Sequence, residues 1–186
     1  MIPSNNVIQS NIIPPFDERG LLPEGSTGFY FPSLEEFIDR FVTVVNIERR
    51  TNLFEKYINF CMKCLNTNAL VSHYVNGSYT TIKEEPGDID LLIMLDGLTV
   101  IDDSMVDEFK DIGDWQKMKE LYSCHTFVAL DLPEDHALYE HHNSVKNDVI
   151  SWWKRNYLDE QRTEIDSVPK GVIILSEDEI KKVRSL

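Results

Sequence analysis

Between Ala69 and Leu95 two apolar runs flank a short polar loop, and this layout constrains the fold more than any other stretch. The first run, Ala69 to Val75, leads into Gly77-Ser78. The second, Leu91 to Leu95, follows Asp88 and Asp90, with Ile89 between them. Residues two apart on a strand share a face. The spacing therefore predicts Asp88 and Asp90 side by side at a strand's start, with the two strands antiparallel across the loop. Carboxylates held so close repel each other unless a cation lies between them. Hard divalent cations, Mg²⁺ or Mn²⁺, suit such oxygen ligands, usually with substrate phosphates completing the shell. Gly77 permits a tight turn and close backbone approach. A helix starting near Ser78 would turn free N–H groups toward a phosphate. Glu85-Pro86-Gly87-Asp88 is also good turn chemistry, so a solvated turn is the alternative reading.

The segments around this core read as a mixed set. Residues 1–32 hold five prolines together with Gly20, Gly25 and Gly28, so little regular structure is expected there. Ile12, Ile13, Phe16, Leu21, Leu22 and Phe29 to Phe31 are too apolar for a free tail. An extended arm packed on the domain follows, with a turn at Asp17-Glu18-Arg19-Gly20. Ser33-Leu34-Glu35-Glu36 is a capping box opening a helix. A longer helix is expected from Asn46 to Asn66, with Leu53, Phe54, Tyr57, Ile58, Cys61, Cys64 and Leu65 at helical spacing. Arg49 and Arg50 sit near its start, against the dipole preference, and salt bridges to the acidic segment are one account of them. Phe109, Ile112, Trp115, Met118 and Leu121 form another helical stripe, which Gly113 interrupts. Cys124 to Leu132 reads as a third strand and Val172 to Leu175 as a fourth, with a helix over Val145 to Tyr157 between them. Trp152 and Trp153 cannot both point inward, so one is left to cover a loop, a partner or a base. A second capping box, Ser176 to Glu179, opens a C-terminal helix. His73 reads as structural, and His136, His141 and His142 match no standard metal spacing.

Composition narrows the function classes. A chain of 186 residues with 42% hydrophobic and 27% charged residues suits one globular domain over residues 33–186, carrying the arm. The net charge of −14 disfavours binding to duplex nucleic acid, which needs many cationic contacts. Eleven carboxylates between Glu84 and Asp114 oppose only Lys110, a face suited to solvent or to a basic protein partner. No run is long and apolar enough to span a membrane, and the start, M-I-P-S-N-N, lacks the character of a secretory signal, so a cytoplasmic location is expected. Three cysteines cannot all pair, and Cys61-x-x-Cys64 lies in a helical pattern with no second ligand pair, so buried free thiols are expected.

The pattern G-S-x9-D-x-D formed by Gly77, Ser78, Asp88 and Asp90 resembles the signature of the nucleotidyltransferase superfamily, the polymerase-beta-like fold. The resemblance implies an α+β fold, with a mixed β-sheet and flanking helices, to which residues 1–32 add the extended N-terminal arm. It implies that Gly77 and Ser78 contact a nucleoside triphosphate while Asp88 and Asp90 hold Mg²⁺ or Mn²⁺. It also implies a third catalytic carboxylate from the neighbouring strand. The only acid there is Asp131, on the same face as His125, Phe127 and Ala129. If the site lies at that strand's beginning, Asp131 is too far along and His125 occupies the region instead. Apart from the resemblance, Arg162 and Lys170 are the basic groups expected to meet a triphosphate, and Lys83 is a further candidate with a solvated lysine as the alternative reading. The stretches Phe16 to Gly25, Glu36 to Phe41 and Pro169 to Ile173 are similar to an uncharacterised bacterial and phage family of nucleotidyltransferase-like proteins. The expected activity is transfer of a nucleotidyl group to a hydroxyl. The alternative is a catalytically impaired interaction protein, an antitoxin or phage–host conflict component acting through its acidic surface.

Overall fold

A computed structural model describes residues 13–43, 47–102, 106–155, 157–158, 164–165 and 170–186. In chain order the elements are β1 (Phe29–Tyr30), α1 (Leu34–Ile38), a π-helical turn (Asp39–Thr43), α2 (Glu48–Leu65), β2 (Leu70–Asn76), β3 (Ile89–Asp96), α3 (Gly97–Asp102), α4 (Val106–Gly113), α5 (Trp115–Tyr122), β4 (Cys124–Asp131), α6 (Tyr139–Arg155), β5 (Tyr157–Leu158), β6 (Glu164–Ile165), β7 (Val172–Ser176) and α7 (Glu177–Lys181). The fold is α+β. Five strands form one mixed sheet in the order β1-β7-β2-β3-β4, and β5 pairs antiparallel with β6 in a separate two-stranded sheet. β2 runs antiparallel to both β3 and β7, whereas β3 and β4, and β1 and β7, are parallel.

Strand alternation divides the core into two layers. Ile89, Leu91, Ile93 and Leu95 of β3 pack with Leu53, Tyr57, Phe60, Cys61 and Cys64 of α2 and with Phe37 of α1. Leu92 and Met94 face the other way and pack, with Ala129 and Val172, under Val149, Ile150 and Trp153 of α6. Asp90 belongs by parity to this second face, at its open end. Trp153 is buried and Trp152 is exposed, so the adjacent tryptophans split as their sequence positions require.

Local chemistry sets the boundaries. Ser33 and Glu36 form the full capping box of α1, with Glu36 N–H donating to Ser33 Oγ at 3.1 Å and Ser33 N–H to Glu36 Oε2 at 3.0 Å. At α7 only half of the expected box forms. Ser176 Oγ accepts from Glu179 N–H, but the Glu179 carboxylate turns to Leu34 N–H at 2.8 Å, capping α1 instead. The helical stripe through Trp115 is broken: α4 ends at Gly113, and Asp114 caps α5 by accepting from Lys117 N–H at 3.1 Å. The break resets the helical phase, leaving Trp115 and Leu121 exposed while Ile112 and Met118 are buried.

The described part of the arm is more regular than its prolines suggest. Phe29–Tyr30 is an edge strand, Leu21 bridges to Thr81, and Pro23 bridges to Lys170. Asp17 to Gly20 is the expected turn, with Gly20 N–H donating to Asp17 C=O at 2.9 Å and the Asp17 carboxylate taking Arg19 and Leu21 N–H groups. The arm thus straps the β2–β3 loop and the start of β7. Cys61, Cys64 and Cys124 are free and buried, and burial pushes the Cys61 thiol up to about 12. His73 is buried and hydrogen-bonded to the Tyr57 hydroxyl at 3.0 Å, and burial drops its pKa to about 3. Among the described residues no helix is long and apolar enough to cross a membrane.

Candidate functional site

The antiparallel register pairs Asn76 with Asp90, so the end of β2 lies across from the start of β3. Gly77 follows with φ 76° and ψ −162°, a conformation open to glycine and strained for other residues. A Cβ at Gly77 would overlap Asp90 Oδ2 and stand 2.7 Å from its Cγ. The glycine-serine turn and the second aspartate are therefore in contact. Asn76 Oδ1 accepts from Gly77 N–H at 2.7 Å and holds the turn from the strand side. Ser78 opens a single 3-10 turn, Ser78–Thr80, too short to act as a helix N-terminus for an anion.

Basic and polar groups surround the two acids. His125 on β4 pairs in register with Asp90, and its Nδ1 lies 3.1 Å from Asp90 Oδ1. Lys119 on α5 forms an ion pair with Asp88 Oδ2 at 2.6 Å. Lys170, buried at the start of β7, donates to Gly77 C=O at 2.6 Å. Burial lowers the Lys170 pKa to about 8, and the charge of Asp90 works against that fall. Lys170 thus reaches the site from beneath the turn. Asp88 and Asp90 are both close enough to the buried Cys124 thiol to raise its pKa, after burial and Cys61.

Two arginines fix the loop between the turn and the acids. Arg50 is buried on α2, and its guanidinium donates to the carbonyls of Phe41, Tyr79, Thr81 and Lys83 at 2.6–3.1 Å. Arg49 donates to Pro86 C=O at 3.1 Å and to Gly87 C=O at 2.6 Å. Both satisfy carbonyls rather than the carboxylates that their sequence position suggested. The planar five-donor guanidinium suits several converging carbonyls, which a lysine could not serve together.

The remaining sequence candidates do not join this cluster. Asp131 pairs with Asp96 at the far end of the parallel strands, six residues beyond the Asp90–His125 pair. At ~3.3 Å per residue that is about 20 Å away. Asp131 is therefore corrected out of the site, and His125 takes the position beside Asp90. Lys83 is exposed, and its backbone rather than its ammonium is engaged: its N–H donates to Thr81 Oγ1 and its C=O accepts from Arg50. Arg162 lies outside the described residues. Sequence reasoning assigned Arg50 to carboxylates rather than to the loop carbonyls, and missed Lys119, which a separate helix brings to Asp88. A cleft of about 520 Å³ between α2, α4 and α5, lined by Asn59, Lys63, Glu108 and Tyr122 among others, touches none of the site residues.

A metal can be tested against these donors. Asp88 and Asp90 are hard oxygen donors, each with a side chain 17% exposed. Two such donors would leave most of a divalent cation's shell to phosphate and water. A protein-closed centre does not fit, because among the described residues no three His, Cys, Asp or Glu side chains gather to hold one.

A family model matches residues 14–176, and its description is a family of unknown function, DUF6932. The chain belongs to this family. The matched span includes all the strands of the DUF6932 member's sheet and both halves of the Gly77–Asp90 junction. No curated protein and no solved structure matches the chain.

Proposed function

We propose that this DUF6932 protein binds a nucleoside triphosphate with one Mg²⁺ or Mn²⁺ at the Gly77–Asp90 junction, and that it transfers a nucleotidyl group to a hydroxyl. The observation that carries the reading is the direct contact between Gly77 and the Asp90 carboxylate. A side-chain-free turn lets a polyphosphate come close to the backbone while acidic oxygens wait beside it. Ser78, half-buried at the turn, offers its hydroxyl to a phosphate. Lys170 adds positive charge under the turn and holds the Gly77 carbonyl in place. His125 orients Asp90, and Lys119 neutralises Asp88 until a ligand displaces it. A bound divalent cation would neutralise phosphate charge and bring the reacting oxygen atoms into line. Nucleoside triphosphates and Mg²⁺ meet in the cytoplasm, where we place the activity.

A second reading has its own support. Asp131 lies far from the junction and His125 stands where a third acid is expected. That favours a scaffold that binds nucleotide without transferring it, or one that uses its acidic surface to bind a basic protein. Calorimetry with each nucleoside triphosphate and Mg²⁺ or Mn²⁺ tests the first reading. Metal-dependent binding is expected, with at least a tenfold loss in Asp88→Ala/Asp90→Ala, about 1.4 kcal/mol. Absence of binding by all four nucleotides would refute it. Binding without transfer of an α-phosphate label to any acceptor supports the second.

A further inference from the structure

Four aromatic rings run along the outer edge of the sheet beside Asp90. Trp115 stands at the start of α5, with its ring centroid 5.2 Å from that of His125. His125 lies 5.0 Å from Phe127, and Phe127 lies 6.2 Å from Trp152 of α6. His125 and Phe127 project from the second face of β4, where they are half-buried and form a floor. Trp115 and Trp152 are 46% and 45% exposed and stand at its two ends. Exposing two indoles is costly, since each leaves a large apolar area in water. Nothing in the core requires it: Trp153 supplies the buried ring of α6, and Met118 anchors α5.

The row is continuous with the candidate site. His125 contacts Asp90 on one side and both Trp115 and Phe127 on the other. Lys119, one helical turn after Trp115, reaches Asp88. One face of α5 therefore presents an indole and an ammonium to the same junction. A ligand with charge at one end and a flat ring at the other matches this arrangement. Resting on the nucleotide reading above, we propose that the Trp115–His125–Phe127–Trp152 row is a stacking platform for a nucleobase whose phosphates sit at Gly77 and Asp90. Neighbouring rings are tilted by 47–65° to one another, so the row offers separate aromatic faces, and base stacking on an aromatic face tolerates every base.

The test compares nucleoside triphosphates, inorganic tripolyphosphate and phosphate-free nucleosides on the full chain. Tryptophan fluorescence and calorimetry are the readouts. Trp115→Ala and Trp152→Ala alter exposed side chains, and circular dichroism checks that each variant folds. Nucleoside triphosphates are expected to bind about 5- to 100-fold more tightly than tripolyphosphate, and each Trp variant to erase much of that gap. Tripolyphosphate binding should not change in the variants. Equal binding of triphosphates and tripolyphosphate, unaffected by the Trp changes, overturns the platform and leaves the polyphosphate site standing. Quenching by nucleosides with no binding of triphosphate or tripolyphosphate overturns the placement of the phosphates at Gly77 and Asp90. No quenching by any nucleoside or nucleotide overturns the platform.

Discussion

Substituting Gly77 by alanine probes the contact on which the site depends. Two costs arise. The backbone at φ 76°, ψ −162° lies where only glycine is at ease, a strain of about 1–3 kcal/mol for another residue. The new methyl would also occupy the space of the Asp90 carboxylate, 2.7 Å from its Cγ, so that Asp90 must rotate away from His125. Losing that hydrogen bond adds roughly 1 kcal/mol. The sum is about 2–4 kcal/mol, or roughly 5–15 °C in Tm for a chain of this size. Gly87 is the control: an added Cβ meets nothing within 4 Å, and its φ is not positive. Gly87→Ala should leave Tm within a few degrees, slightly raised if anything, because the unfolded chain loses freedom. A cycle with Asp90→Ala separates the two costs, since removing the carboxylate relieves the overlap but not the backbone strain. Gly77→Ala should therefore cost less in the Asp90→Ala background. Equal Tm for wild type and Gly77→Ala, or a cost unchanged by Asp90→Ala, would show that the turn and the acid do not touch.

Two further perturbations address the Arg50 clamp and the buried His73. Arg50→Met leaves the carbonyls of Phe41, Tyr79, Thr81 and Lys83 without their donor. It should cost about 3–5 kcal/mol in urea unfolding and expose residues 79–87 to protease; wild-type protease resistance would contradict the clamp. His73 gives a pH dependence. Its folded pKa is about 3, against about 6.5 unfolded. Below pH ~6.5 the unfolded chain binds a proton that the folded chain refuses, so this stability is complete above that pH and falls by about 1.4 kcal/mol per unit on acidification. His73→Leu should flatten the slope between about pH 6.5 and 4.5, and an unchanged slope would rule out a buried neutral His73.

What the sequence revealed was local. The junction of Gly77 with Asp90 follows from two strands and a short connecting loop, so register alone brings them together. The capping box at Ser33, the turn at Asp17 and the splitting of Trp152 from Trp153 depend on neighbours a few residues away, and each was legible. Arg50 was not, because its partners are backbone carbonyls up to 33 residues distant, and carbonyls look alike in every sequence. Glu179 was misread for a related reason: its expected partner is three residues away, yet its carboxylate caps a helix 145 residues earlier in the chain.

The fate of Asp131 shows how much depends on one topological fact. Parity places it on the same face as His125, Phe127 and Ala129, but parity is silent about which end of a strand meets the site. The parallel pairing of β4 with β3 decides it, setting Cys124 beside Ile89 and Asp131 beside Asp96. An antiparallel β4 would have brought Asp131 to the junction and carried His125 away. The helices between β3 and β4 make the parallel arrangement possible, because only a long crossover can return the chain to the starting end of the sheet. The same crossover delivers α5, and with it Trp115 and Lys119, to the start of β4. One connection thus removes an acid from the site and supplies an indole and an ammonium in its place. The chemistry at Asp90 is therefore set by the chain between residues 97 and 123 as much as by the aspartates themselves.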